Sequence, residues 1–103
     1  MSYKLRFVQS FKLEHAKEYL ILEKLFVELE KDSAGFPKGR RYIPVTGKEP
    51  SNTLIWESEF STLKEAQDAL ELIISDNRHE ELFQQQLPYI VHTYTEIYKP
   101  FDE

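Results

Sequence analysis

Hydrophobic periodicity along this chain switches in a fixed order, and that order constrains the fold more than any single residue does. Residues Tyr3 to Phe11 (YKLRFVQSF) alternate, with Leu5, Phe7 and Phe11 on one face and Lys4, Arg6, Val8 and Ser10 on the other. Such alternation predicts a half-buried strand. From about Glu14 to Lys31 the period becomes helical. Tyr19, Leu22, Leu25, Phe26 and Leu29 form one apolar stripe, which Leu20 and Val27 widen, and Lys17, Lys24, Glu28 and Lys31 lie opposite. Gly35 is placed to end this helix, because glycine adopts positive φ without strain. A second strand is predicted over Gly39 to Thr46. Pro44 has no N–H to give a ladder, so this strand belongs at a sheet edge. A turn-rich connector, Gly47 to Asn52, leads into a third strand, Thr53 to Phe60.

The second half repeats the alternation of helix and strand. Thr62 and Glu65 form a T-x-x-E capping box, in which each side chain satisfies an orphan backbone donor. Leu63, Ala66, Leu70 and Ile73 carry the stripe of the helix that follows. Ser75-Asp76-Asn77 interrupts it, with Asn77 and Glu80 as a second box, and the helical region ends before Pro88. Tyr89 to Lys99 (YIVHTYTEIYK) is aromatic and β-branched, as strands favour. The resulting βαββαβ order predicts an α+β, ferredoxin-like domain. Its four-stranded antiparallel sheet has helices on one face, and one domain spans residues 1–103.

Composition narrows the function classes. Thirteen basic and 18 acidic side chains give a net charge of −5, opposite to the basic footprint that phosphate backbones and anionic membranes require. RNA-recognition domains share the βαββαβ order, but they need an aromatic, basic third strand. Here that strand carries Glu57 and Glu59. No cysteine is present, which removes disulfides, thiolate metal sites and cysteine nucleophiles. Together with the absence of an apolar run long enough for a leader or a membrane span, this leads us to expect a soluble cytoplasmic protein. No cofactor is expected. No metal site is expected either: His79-Glu80-Glu81-Leu82-Phe83 begins like H-E-x-x-H but has Phe83 where a second histidine is needed. Lys38, Arg40, Arg41 and Lys48 form a small basic cluster. It could hold an anion, but it fits better as the charged guard of an edge strand. Thr46-Gly47-Lys48 lacks the spacing of a P-loop.

In a ferredoxin-like domain the first strand sits between the third and fourth. The helix-free face would then gather Val8, Ile55, Tyr94 and Tyr98 with Arg6, Glu57, Glu59, His92 and Glu96. Aromatic surface of that extent calls for a cover, and charges under a cover must be paired. Glu57 and Glu59 lie about 6.5–7 Å apart on one strand face, close enough for one to become a general base. Charge pairing with Arg6 is the plainer reading. His92, Tyr94 and Glu96 share a face in the same way, and there a histidine beside a carboxylate could move a proton.

The opening Tyr3-Lys4-Leu5-Arg6-Phe7, the segment Asn52 to Phe60 leading into Lys64-Glu65-Ala66, and the ending Leu87-Pro88-Tyr89-Ile90-Val91 resemble the dimeric α/β-barrel superfamily, and within it NIPSNAP-like proteins. The resemblance implies a homodimer whose two sheets close face to face. It also implies a range of roles: cofactor-free monooxygenases, haem-degrading enzymes, small lyases, and proteins with no assigned activity. Haem-degrading members use an Asn on the first strand and a Trp and a His on the second helical region. This chain offers Gln9, has its one Trp on a strand (Trp56), and keeps only His79. The expectation is therefore a homodimer that binds a small organic molecule between its sheets through Arg6, Tyr94 and Glu96. One alternative is a cofactor-independent monooxygenase or lyase for a small aromatic or polyketide-like substrate, with Glu57, Glu59 or His92 as base. Another is a structural or regulatory interaction module, for which the interior should be filled by side chains.

Overall fold

A computed structural model describes residues 2–102. Strand β1 (Tyr3–Phe11) is followed by a 3₁₀ turn and helix α1 (Ala16–Asp32), strand β2 (Arg40–Tyr42) and strand β3 (Thr53–Phe60). Helices α2 (Leu63–Ser75) and α3 (Asn77–Gln86), a second 3₁₀ turn and strand β4 (Ile90–Tyr98) complete the chain. The strands are antiparallel in the order β2-β3-β1-β4. This is the predicted α+β, ferredoxin-like arrangement.

Register follows the alternation. Arg6 lies between Glu57 and Glu96, Val8 between Ile55 and Tyr94, and Ser10 between Thr53 and His92. On the opposite face Leu5 (0 % exposed) and Trp56 pack with Phe36, Ala69 and Ile73 to form the main core under the helices. Phe11, Tyr19 and Leu54 form a second cluster, with the Phe11 and Tyr19 rings stacked at 4.5 Å.

Three local expectations change. Strand β2 pairs over only three residues, because Pro44 removes a donor and residues 43–52 leave the ladder. The buried stripe of α1 is Tyr19, Glu23, Phe26 and Glu30, whereas Leu25 and the widening residues Leu20 and Val27 stay exposed. The break after α2 is capped by Asp76 rather than Asn77. Asp76 is extended at φ −75° and ψ 122°, and its Oδ1 accepts from the backbone N–H groups of Arg78 (2.9 Å) and His79 (3.1 Å). The Thr62–Glu65 box forms as predicted, with both reciprocal hydrogen bonds present. Gly35 takes φ +80° in the turn that ends α1.

The Asp76 cap carries a pH signature. A hydrogen bond from the Arg78 side chain, with the two backbone donors, holds its carboxyl at about 2. A depressed folded-state value stabilises the fold above the unfolded carboxyl range, and that stability is lost as pH falls from about 4 through 2. Asp76→Ala should therefore cost about 0.5–2 kcal/mol at pH 7. Denaturant titrations of both proteins should show this gap closing as pH is lowered toward 2.

Candidate functional site

The structure brings most of the predicted polar residues together on the helix-free face, and each already has a partner within the chain. Arg6 Nε lies 2.8 Å from Glu57 Oε2, although the N–H is not aligned for a hydrogen bond, so the attraction is that of an ion pair. Arg6 Nη1 donates to Tyr98 Oη at 3.2 Å and lies 3.8 Å from Glu96. Tyr98 in turn donates to Glu96 Oε1 at 2.7 Å. Burial opposes the charge on Arg6, and Tyr98, Glu57 and Glu96 more than offset it.

A second group forms four residues further along β1. His92 Nε2 meets Ser10 Oγ at 3.3 Å, and Ser10 Oγ meets Thr53 Oγ1 at 3.2 Å. Glu49, from the connector before β3, reaches over this face. It lies 3.6 Å from His92 and accepts from Tyr94 Oη at 2.8 Å. That hydrogen bond pushes the Tyr94 phenol up to about 12, so its proton is committed to Glu49.

Glu59 stands apart, accepting from Ser2 Oγ at 2.7 Å. Four residues of strand separate the Arg6–Glu57 pair from the Ser10–His92 pair, about 13 Å. Glu57 and His92 therefore cannot act on one reacting atom within a single chain. With residues 44–49 alongside, Val8 is only 1 % exposed, so the chain itself already covers part of this face.

Sequence reasoning missed the other side of the sheet. A hollow of about 260 Å³ lies between the helices and the sheet, walled by Phe7, Phe26, Phe36, Leu54, Trp56, Ile73 and Phe83. Thr93 and Thr95 of β4, both exposed, line its open side. A polar network sits in its wall. Arg41 turns inward from β2, its Nε donating to Glu23 Oε2 at 2.6 Å and its Nη1 and Nη2 to Glu30 at 3.2 and 2.5 Å. Glu30 Oε1 also accepts from Trp56 Nε1 (3.2 Å) and from the backbone of Gly39 (3.3 Å). Glu23 Oε1 accepts from Gln86 Nε2 at 2.9 Å. Arg41 thus ties the edge strand to α1 instead of guarding the edge or holding an anion. Burial opposes its charge, and the hydrogen bonds it donates to Glu30 and Glu23, with the attraction of both carboxylates, restore it above the usual range.

Nearby, Tyr19 donates to Gln9 Oε1 at 2.6 Å, and burial keeps its phenol protonated. His79 packs on Phe26 at 4.9 Å. Burial pushes the imidazole below its ordinary range against the pull of Asp76, Glu80 and Glu30, which leaves it neutral at pH 7. The signal for this network was present in the sequence. Glu23 and Glu30 recur seven apart, on the same stripe as Tyr19 and Phe26. Among the described residues no group of three or more His, Asp or Glu is arranged to hold a metal ion.

With the geometry in place, comparison with solved structures decides the fold type. A conserved protein from Methanosarcina mazei superimposes with a TM-score of 0.73 at 18% identity, covering 96% of this chain and 92% of that one. A NIPSNAP family protein from Agrobacterium tumefaciens gives 0.74 at 14% identity, covering 99% and 95%. The chain has the NIPSNAP-type fold. An antibiotic biosynthesis monooxygenase shares it with a TM-score of 0.68 at 14% identity, covering 95% of this chain and 97% of that one. No family model matches the sequence, and no curated protein matches it. At these identities the likeness speaks for the NIPSNAP-type fold and leaves chemistry to the residues of the site. No helix among the described residues is long and apolar enough to cross a membrane.

Proposed function

We propose that this chain is a cytoplasmic homodimer that binds a small, largely apolar organic molecule in the hollow between its helices and its sheet. The observation that carries the reading is the hollow itself. Aromatic rings surround an open space that Glu23, Gln9, Thr93 and Thr95 also line, the composition of a small-molecule site. A purely structural module would have a filled interior, and about 260 Å³ is left open here. The helix-free face supplies the dimer contact. Tyr94, Tyr98 and Tyr42, which the strand register puts on that face, are between 37% and 47% exposed. Because Lys4 and Arg6 together balance Glu57 and Glu96 within the chain, a second copy can cover them without stranding a charge.

The two parts are tested separately. Sedimentation equilibrium at micromolar concentration should show a dimer. Tyr42→Asp/Tyr98→Asp should weaken association at least about tenfold, since unpaired acids would meet across the contact. A monomeric wild-type protein would end the dimer reading. For the ligand, 3-phenylpropan-1-ol should raise the melting temperature in a saturable way. Thr93→Phe/Thr95→Phe fills the hollow with residues a strand tolerates, so it should abolish that rise. A rise unaffected by the filling variant would place binding elsewhere.

A further inference from the structure

The charges in the hollow do not balance. Two carboxylates, Glu23 (9 % exposed) and Glu30 (8 % exposed), face one guanidinium, Arg41, which is the only Lys or Arg lining the hollow among the described residues. Three N–H groups of Arg41 are committed to these two acids. A third acid, Glu80, lies at the rim. Glu30 is well supplied, with four donors on its two oxygens. Among the described residues Glu23 accepts one hydrogen bond on each oxygen, from Arg41 and from Gln86, so each keeps a lone pair for another donor. An excess negative charge in an apolar setting is costly until a cation or strong donor meets it.

The walls add an independent observation. Phe7 and Trp56, their ring centroids 5.2 Å apart, border the same space as Phe26. The π-faces of such rings attract organic cations, and Trp does so most strongly. Acid and rings together ask for a positively charged head on an apolar body.

We propose that the ligand of this hollow is an organic ammonium compound, an aromatic or alicyclic amine whose N–H groups meet Glu23 while its body packs on the rings. This assignment rests on the reading of the hollow as a ligand site. It excludes carboxylates of the same shape, which would bring a second unpaired negative charge beside Glu23.

A matched series on the intact protein separates the two claims: 3-phenylpropylamine, 3-phenylpropan-1-ol and 3-phenylpropanoate at pH 7 and equal ionic strength. Trp56, the only tryptophan, reports binding by its emission. The amine should bind at least about tenfold more tightly than the carboxylate, with the alcohol between them. Glu23→Gln should shrink that preference several-fold while alcohol binding persists, which also shows that the variant is folded. Should that variant not fold, added salt should weaken the amine selectively in the wild-type protein. Equal affinity across the series, or tightest binding of the carboxylate, overturns the ammonium assignment and leaves the site standing. No binding of any member overturns both.

Discussion

Arg41→Met is expected to be among the most damaging single substitutions in this protein, costing about 3–5 kcal/mol. That is the penalty for removing one partner of a buried ion pair and leaving its counter-charge enclosed. Here two counter-charges would be left, because Glu23 and Glu30 both depend on Arg41. For a domain of this size each kcal/mol is worth roughly 4–8 °C. The melting temperature should therefore fall by more than about 10 °C at matched protein concentration. Glu23→Gln/Glu30→Gln/Arg41→Met should recover much of the loss, since amides are far cheaper to bury than unpaired carboxylates. A single variant as stable as the wild type would mean that the network is wetter than its burial indicates.

Gly39→Ala is the second large effect expected, and it links stability to the site. A Cβ at Gly39 would overlap the indole ring of Trp56, which lies directly against this backbone. The ring must move, and its hydrogen bond to Glu30 and its wall of the hollow move with it. Overpacking of this kind costs about 1–3 kcal/mol. The loss of the Trp56–Glu30 bond adds about 1 kcal/mol. Because the damage passes through one ring, Gly39→Ala/Trp56→Leu should cost less than the sum of the two single changes. Chemical denaturation of the four proteins measures this coupling, and strict additivity would mean that the ring is not the point of conflict.

How far the molecule could be read before its fold was seen depends on the kind of signal. Strand faces were legible because side chains alternate, so Arg6, Glu57 and Glu96 fell on one face from spacing alone, as did His92 and Tyr94. Pro44 announced the edge strand, and Thr62 with Glu65 announced a helix start. The network of Glu23, Glu30 and Arg41 was missed because a charge within a helical stripe reads as a solvated position. Only the seven-residue recurrence of the two glutamates on the Tyr19–Phe26 stripe argues otherwise. In sequence Arg41 sits among Lys38, Arg40 and Lys48 and reads with them as surface charge, although strand alternation turns it opposite to Arg40. The cover over Val8 comes from an irregular connector, whose path has no periodicity to read. A hollow is a matter of summed side-chain volumes across several elements, and no single stretch of sequence records it.

On the proposed reading, the ligand binds on the helix side of the sheet rather than on the side facing a second copy. Nitrogen–proton correlation spectra of the protein titrated with 3-phenylpropan-1-ol test it most directly. The Trp56 indole N–H should shift saturably, the shift should vanish in Thr93→Phe/Thr95→Phe, and the backbone signals of Arg6 and Ile55 should stay in place. Saturable shifts at Arg6 and Ile55 with Trp56 unmoved would contradict the account and return the ligand to the space between two sheets.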